Sequence, residues 1–186
     1  MLRVTPLEGA RAPLLLRGLN WLGRRTFGQA LRPLQVLAHN QALLLPYLAT
    51  SLLVGGKSEV DPRTRLLAMH MASQLNGCDW CMDFARMEGT RLGLSMRKME
   101  SVVSYSSDGA LFSDAERAAL RLAEDMTRTG ARVSDEVFAE VRRHFSERAT
   151  VELVVAIATE NFYNRVNGAL GLESQGFCGL PLKEAA

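Results

Sequence analysis

Residues 74–81 read Gln-Leu-Asn-Gly-Cys-Asp-Trp-Cys, and this is the most informative stretch of the chain. Two of the three cysteines, Cys78 and Cys81, stand three residues apart directly after an apolar helical segment. The spacing brings two sulfur atoms within reach of each other, so the pair can hold either two thiols or one disulfide. A CxxC of this kind carries two electrons when it is redox-active, or supplies two ligands when it binds a metal.

Composition places the chain among ordinary globular proteins. Its 186 residues are 47% hydrophobic and 23% charged, which is enough apolar material for one domain with a core. Three cysteines are too few for a secreted disulfide framework, so we expect a reducing compartment and a cytoplasmic protein. The longest apolar run, 43–54, is too short and too interrupted to span a membrane, and we expect no signal peptide.

Helix signals follow one another along the chain. Pro33 predicts the start of a helix that runs to Gly55-Gly56, with Pro46 kinking or dividing it. Asp61-Pro62 predicts the start of the next helix, and Asn76-Gly77 predicts its end. Further helix starts are predicted at Ser95, at the capping box Ser113-Asp114-Ala115-Glu116, at Ser134 and at Glu147. No strand-like alternation competes with these signals, so we predict an all-α bundle of about eight helices.

Charge is unevenly distributed along the chain. Residues 1–57 contain seven basic residues and one acidic residue, a net charge of +6, so the rest carries −4 of the total of +2. We therefore predict a basic N-terminal helical arm, 1–57, packed as one unit with a CxxC-containing helical domain, 58–186. No aromatic-basic interleaving or helix-turn-helix pattern accompanies the charge. We expect no nucleic-acid or membrane partner, and interpret the arm as solvated or as an oligomer contact.

The predicted position of the cysteines favours thiol chemistry over metal binding. Cys78 is expected at a helix N-terminus and Cys81 in the first turn, where partial positive charge lowers the pKa of a thiol. Zinc usually needs four ligands, whereas one CxxC supplies two, and the three histidines His39, His70 and His144 are scattered. We therefore expect no metal and no cofactor. A zinc site shared across an interface and two merely buried cysteines are the alternatives.

The leader before the CxxC resembles a known family. The stretch from Asp61-Pro62-Arg63 to Met82-Asp83 is similar to the AhpD-like alkylhydroperoxidase, or carboxymuconolactone decarboxylase, superfamily. Weaker similarity extends over residues 34–177, including Phe112–Leu120 and Glu160–Asn167. The resemblance implies an AhpD-like helical bundle that forms a homo-oligomer (a dimer, trimer or hexamer). It also implies that Cys81 attacks the substrate and that Cys78 resolves the product as a disulfide.

Two positions depart from the family pattern. Its redox members place a Glu twelve residues before the first cysteine and a His four residues after the second, and these positions hold Leu66 and Ala85 here. His70 is the candidate replacement base because it lies one helical turn after Leu66, although a lone histidine on an apolar helix also serves as a core residue. We assign the polar run 160–167 to packing and assembly, and Cys178 is a candidate resolving or intermolecular thiol.

Three functions remain open at this point. The first is a thiol-dependent peroxidase or disulfide reductase that takes a small hydroperoxide or disulfide and is recycled by a thiol reductant. The second is a family member with weak or no peroxidase activity that serves redox sensing or assembly, which the missing Glu and His favour. The third is a decarboxylase or lactone-type enzyme on the same scaffold, whose chemistry does not need paired thiols.

Overall fold

The computed structural model describes residues 2–179 except 109, 129 and 131, and these residues form helices and no strands. The described part contains nine α-helices: α1 Leu14–Phe27, α2 Arg32–Leu37, α3 Gln41–Gly55, α4 Pro62–Leu75, α5 Asp79–Arg91, α6 Met96–Glu100, α7 Asp114–Thr127, α8 Asp135–His144 and α9 Glu147–Leu170. Short 3₁₀ turns occur at Gly9–Arg11, Ser101–Ser104 and Phe177–Gly179. The predicted all-α fold is confirmed.

Side-chain caps define the starts of the helices that lead to the cysteines and form the core. Asp61 accepts hydrogen bonds from the backbone N–H groups of Arg63, at 2.9 Å, and Thr64, at 3.3 Å. Ser113 and Glu116 form the reciprocal capping box at the start of α7. Each cap satisfies backbone donors that have no partner within the helix. Helices α4 and α7 therefore begin where the sequence predicted.

The helix predicted from Pro33 to Gly55 is divided, but the division does not lie at Pro46. Helix α2 ends at Leu37, and α3 begins after Asn40, whose side chain accepts a hydrogen bond from the N–H of Ala42 at 3.2 Å. Pro46 lies inside α3, which continues through it. A proline removes one backbone donor, whereas the Asn40 cap is a start signal that the prediction overlooked.

Helix α4 is the centre of the core. It packs against α5, α7 and α9. Leu67 and Met71 of α4 join Leu120 of α7 and Ile157 of α9 in one apolar cluster. A second cluster surrounds the two cysteines, and a third joins the first three helices. Burial against three partners holds α4 in place, and the residues that follow α4 therefore have a defined position.

The N-terminal segment packs against the rest of the chain. Val36 of α2 belongs to the cluster around the cysteines. The Ser51 hydroxyl of α3 hydrogen-bonds the Tyr163 hydroxyl of α9 at 2.7 Å. Residues 180–186 of the predicted domain lie outside the described part, and the proposed division near residue 57 stays a prediction.

A tight turn joins α4 to α5. Gly77 has a φ of +63° and donates a backbone hydrogen bond to the carbonyl of Gln74 at 3.1 Å. The N–H of Cys78 donates to the carbonyl of Ser73 at 3.0 Å. These two bonds form the Schellman arrangement that ends a helix at a glycine. Cys78 therefore leaves α4 and at once becomes the N-cap residue of α5.

We expect Gly77→Ala to lower the free energy of unfolding by about 1 kcal/mol, because alanine is strained at the positive φ that the turn requires. Gly18→Ala in the middle of α1 is the matched control, since no atom lies within 4 Å of an added methyl group at either position. A helical alanine at Gly18 should stabilise by roughly 0.5–1 kcal/mol. Urea unfolding of both variants checks this, and equal effects would contradict the role assigned to the turn.

Candidate active site

The two cysteines of the CxxC form a disulfide at the N-terminus of α5. Their Cα atoms are 5.3 Å apart, and both side chains are buried. Cys78 is the N-cap, and its sulfur accepts the N–H of Cys81 at 3.4 Å. Unpaired N–H groups at a helix start favour negative charge nearby. In the reduced protein the same groups therefore stabilise a thiolate.

Asn167 of α9 lies against the sulfur of Cys81. Its side-chain Nδ2 donates to that sulfur at 3.3 Å, and the residue has no exposed surface. The Oδ1 atom of the same amide has no hydrogen-bond partner among the described residues. An amide donor held at this distance stabilises a thiolate more than a neutral thiol. The sequence assigned Asn167 to packing, and only the approach of α9 to α5 reveals this contact.

His70, the predicted replacement base, has partners other than the cysteines. It is fully buried in α4, and its Nε2 accepts a hydrogen bond from Gln74 Nε2 at 2.9 Å. Burial, with a smaller effect of the Arg86 charge, lowers the pKa of His70 to about 4. No hydrogen bond joins it to either sulfur in the described part of the chain. The structure brings Cys78 and Cys81 together and leaves His70 in the core.

The positions of the family Glu and His are apolar and packed. Leu66 lies half-buried against the main core, and Ala85 is buried within it. Neither side chain can accept or donate a proton. The proton relay that the family resemblance implied therefore has no residue at these two positions.

A buried polar network ties the end of α4 to α9. The carboxyl of Glu160 accepts hydrogen bonds from the Ser73 hydroxyl and from Asn164 Nδ2, both at 2.7 Å. Asn76 Nδ2 donates to the side chains of Asn161, at 2.9 Å, and Asn164, at 3.0 Å. Burial raises the pKa of Glu160. The network therefore fixes the residues directly before Gly77 and Cys78 against α9.

The carboxylate of Asp83 anchors the C-terminal segment over α5. It accepts the Ser174 hydroxyl at 2.7 Å and the backbone N–H groups of residues 175–178 at 2.9, 2.7, 3.1 and 3.4 Å. Burial raises the pKa of Asp83, but these donors outweigh it and hold the pKa below its usual value. Asp83 lies two residues after Cys81 in α5. The segment that it anchors carries Phe177, which packs in the same apolar cluster as the two cysteines.

Gln175 and Phe177 belong to this segment, which we call the C-terminal strap (residues 174–178). Gln175 Oε1 accepts from the indole Nε1 of Trp80 at 2.7 Å, and Gln175 Nε2 donates to the carbonyl of Ala30 at 3.0 Å. The ring of Phe177 meets the rings of Trp80 and Phe84 edge-on, at 5.8 and 5.4 Å between centroids. Sequence reasoning missed Gln175, because no local pattern links residues almost a hundred positions apart.

Cys178 lies at the exposed end of the strap. Its sulfur is 3.7 Å from the backbone carbonyl of Asp83, and its thiol pKa is raised by burial and by the Asp83 charge. Its role as a resolving or intermolecular thiol stays a prediction. Among the described residues no group of three or more His, Cys, Asp or Glu side chains is placed to hold a metal ion. Nor is any helix in that part of the chain long and apolar enough to cross a membrane.

We expect Asp83→Asn to loosen the strap and to lower the free energy of unfolding by about 2 kcal/mol, because an amide cannot serve all these donors. Since the pKa of Asp83 is lowered in the folded state, this stabilisation is complete above its ordinary value of 3.8 and is lost as the pH falls further. Dithiothreitol should also reduce the disulfide faster in the variant. Asp135→Asn, at an exposed helix start, is the control.

Hydrogen–deuterium exchange and urea unfolding at several pH values measure the effect of Asp83→Asn. Exchange should increase at residues 174–178 and stay unchanged in α7. Equal stability of the two variants at neutral pH, or a difference that grows as the pH falls, would show that Asp83 does not anchor the strap.

We expect Asn167→Ala to raise the pKa of the reduced Cys81 thiol by about one unit, since it removes the amide donor at the sulfur. The pH dependence of iodoacetamide alkylation, read by mass spectrometry at each cysteine, measures this pKa. His70→Gln should leave the profile unchanged, because His70 contacts Gln74 and not a sulfur. A shift in His70→Gln with none in Asn167→Ala would assign the proton transfer to His70 instead.

Comparison with known proteins places this arrangement in a family. Residues 42–125 match the carboxymuconolactone decarboxylase family. The uncharacterized protein YnjA of Escherichia coli K12 is 31% identical over 182 residues, which cover 95% of this chain and 97% of the relative.

Two solved structures share the fold. The debrominase Bmp8 in complex with 2,3,4-tribromopyrrole has a TM-score of 0.82 at 22% identity, with 94% of this chain and 92% of that chain covered. An AhpD-core, peroxidase-related protein from Ralstonia eutropha JMP134 has a TM-score of 0.75 at 18% identity, with 95% and 94% covered. At these identities the two structures show the fold alone. The family match and the full-length relative show that the chain belongs to the AhpD-like carboxymuconolactone decarboxylase superfamily.

Proposed function

We propose that this protein is a thiol-dependent redox protein that reduces hydroperoxides or disulfides through the Cys78–Cys81 pair. The observation that carries the proposal is a buried disulfide at a helix N-terminus, with an amide donor from another helix on one of its sulfurs. Backbone N–H groups and an uncharged donor favour a thiolate without adding a competing base. The pair then stores and releases two electrons.

The proposed reduction of a hydroperoxide proceeds in two displacements. The Cys81 thiolate attacks one oxygen, the O–O bond breaks, and the departing alkoxide takes a proton from water to give an alcohol. The sulfenic acid on Cys81 then loses hydroxide when the Cys78 thiolate attacks its sulfur and the S–S bond forms. Two thiols and one hydroperoxide thus become one disulfide, one alcohol and one water. An external thiol reductant returns the disulfide to two thiols by exchange.

The missing relay predicts slow turnover rather than a different reaction. Leu66 and Ala85 offer no proton, and His70 is a weak base because burial lowers its pKa to about 4. The alkoxide must therefore take its proton from solvent, to which the buried cysteines are little exposed. Slow turnover also suits redox sensing, in which formation of the disulfide is itself the signal. Redox sensing is therefore the first alternative to an efficient peroxidase.

Halogenated aromatic compounds are a second candidate substrate class. The cysteines lie beside an aromatic cluster in which Trp80 stacks on Phe84 at 5.1 Å and both rings meet Phe177. Aromatic rings favour stacked and edge-on contacts with other flat rings, and the debrominase Bmp8 has the same fold. The electrons balance here as well, because two thiols and one aryl bromide give one disulfide, one arene and one hydrogen bromide.

Thiol counting tests the proposal directly. The Cys178→Ser variant leaves the CxxC as the sole source of thiols, so the reduced protein should show two free thiols. One equivalent of a small alkyl hydroperoxide should remove both and produce the Cys78–Cys81 disulfide in a peptide map. Cys78→Ser and Cys81→Ser in the same background are the matched controls, and neither should form an intramolecular disulfide. A parallel sample with 2,3,4-tribromopyrrole is assayed for bromide.

Each outcome assigns a function. Disulfide formation with continued peroxide loss in excess dithiothreitol supports a peroxidase, and disulfide formation without turnover supports redox sensing. Bromide release that requires both cysteines supports dehalogenation. Retention of both thiols under all conditions contradicts the proposal and favours a non-redox enzyme on the same scaffold.

A further inference from the structure

The side-chain oxygen of Asn167 is an unpaired acceptor beside the Cys81 sulfur. Asn167 Nδ2 donates to that sulfur at 3.3 Å, whereas Asn167 Oδ1 is buried and has no hydrogen-bond partner among the described residues. A buried acceptor without a partner costs free energy, so most side-chain acceptors in protein interiors are hydrogen-bonded. The unpaired oxygen therefore needs a functional explanation.

The polar residues that precede Asn167 on the same face of α9 do have partners. Glu160, Asn164 and Asn167 follow one another at spacings of four and three residues, so they share one face of the helix. The Glu160 carboxyl accepts from the Ser73 hydroxyl and from Asn164 Nδ2, both at 2.7 Å, and Asn164 Oδ1 accepts from Asn76 Nδ2 at 3.0 Å. These bonds hold α9 against the end of α4, and Asn167 has no exposed surface. We therefore attribute the unpaired oxygen to the position of Asn167 rather than to a mobile side chain.

Asn167 Oδ1 is within reach of an atom that becomes bonded to the Cys81 sulfur. Oδ1 and Nδ2 are bonded to the same carbon atom, so the contact of Nδ2 with the sulfur also keeps Oδ1 near it. An amide oxygen accepts hydrogen bonds and cannot donate them. The partner that Oδ1 lacks must therefore bring a hydrogen, and it must lie close to the sulfur.

We propose that Asn167 Oδ1 binds the hydrogen on the oxygen atom that Cys81 attacks, and that the site thereby selects hydroperoxides. The inference rests on the proposed thiol redox function and names its substrate class. The attacked oxygen of a hydroperoxide carries a hydrogen, whereas the attacked sulfur of a disulfide and the bromine of an aryl bromide carry none. A site with a buried polar group discriminates strongly against a substrate that leaves this group unpaired.

The two atoms of the Asn167 amide have different tasks in the reaction. Nδ2 stabilises the Cys81 thiolate, and Oδ1 orients the terminal O–H of the hydroperoxide. When the thiolate attacks this oxygen, the O–O bond breaks and its electron pair leaves with the alkoxide, which takes a proton from water. The sulfenic acid on Cys81 keeps the O–H, which still donates to Oδ1. The Cys78 thiolate then attacks the Cys81 sulfur, and the oxygen leaves as hydroxide.

Two oxidants separate the acceptor of Asn167 from its donor. Both tert-butyl hydroperoxide and dimethyl disulfide need the Cys81 thiolate, but only the hydroperoxide has a hydrogen on the attacked atom. The rate of thiol loss with each oxidant is measured on the reduced Cys178→Ser protein, and a peptide map verifies the Cys78–Cys81 disulfide. In Asn167→Ala, the hydroperoxide rate divided by the disulfide rate should fall about tenfold, the factor that one ordinary hydrogen bond supplies. Loss of the Nδ2 donor slows both reactions and cancels in this ratio.

Two further variants control the experiment. Asn167→Asp keeps an oxygen acceptor and should restore the ratio, although its negative charge disfavours the thiolate and slows both reactions. Asn20→Ala is the matched control and should leave the ratio unchanged. Asn20 also has a buried, unpaired Oδ1, but it lies in α1, and no hydrogen bond joins it to a sulfur in the described part of the chain. If circular dichroism shows that Asn167→Ala has lost helix, Asn167→Leu replaces it, since leucine fills the volume without a polar atom.

The other outcomes overturn the inference, and they differ in what they say of the proposed function. An equal ratio in wild type and Asn167→Ala shows that Oδ1 binds no hydrogen of the substrate, while the redox function stands. A fall of the same size in Asn167→Asp assigns the effect to Nδ2 or to packing. A wild type that reacts with dimethyl disulfide alone is a disulfide reductase without selection for hydroperoxides. Reaction with neither oxidant contradicts the proposed function itself.

Discussion

The turn between α4 and α5 is the constraint on which the site depends. Gly77 lets the chain reverse at a positive φ, and Cys78 is bonded to the last turn of α4 while its sulfur caps α5. Helix α4 is held in the core by α5, α7 and α9. Because the turn fixes Cys78 to the end of α4, the sulfur atoms also have a fixed position. A CxxC on a loop would have the same spacing without the helix N-terminus or the burial. Thiolate stabilisation and protection from water thus both originate in one backbone conformation.

Because the CxxC is buried, the polar groups around it need hydrogen-bond partners within the protein. Parts of the chain that are distant in sequence supply these partners. The amide of Asn167 on α9 donates to the Cys81 sulfur. The carboxylate of Asp83 binds the backbone of the strap, whose Phe177 packs in the same cluster as the cysteines. The Glu160 network braces α9 against the end of α4. These contacts consist of polar groups that find partners away from water, and unpaired groups of this kind are costly in an interior.

The apolar residues at the family relay positions change the character of the site. A carboxylate and an imidazole beside the thiols would hold charge and water. Leu66 and Ala85 are instead part of the apolar core that packs against α5. The thiolate then depends on fixed dipoles, which stabilise charge but move no proton. The aromatic side chains Trp80, Phe84 and Phe177 pack on one another beside the cysteines and keep the same region apolar. The candidate functions share the same sulfur chemistry. They differ in how a proton reaches the thiols and in which substrate can reach them.

The sequence by itself determined what local signals encode. Asp61 and Ser113 predicted helix starts and Gly77 predicted a helix end, because caps and positive-φ turns act within a few residues. The CxxC spacing predicted the disulfide pair. The Asn40 cap shows the limit even of local signals, since Pro46 was the more obvious break. Only the tertiary structure decided that Asn167 reaches Cys81, that Gln175 and Asp83 hold the strap, and that His70 turns to Gln74. These contacts join residues far apart in the chain or select one face of a helix. Helix packing sets such choices, and no local spacing records them.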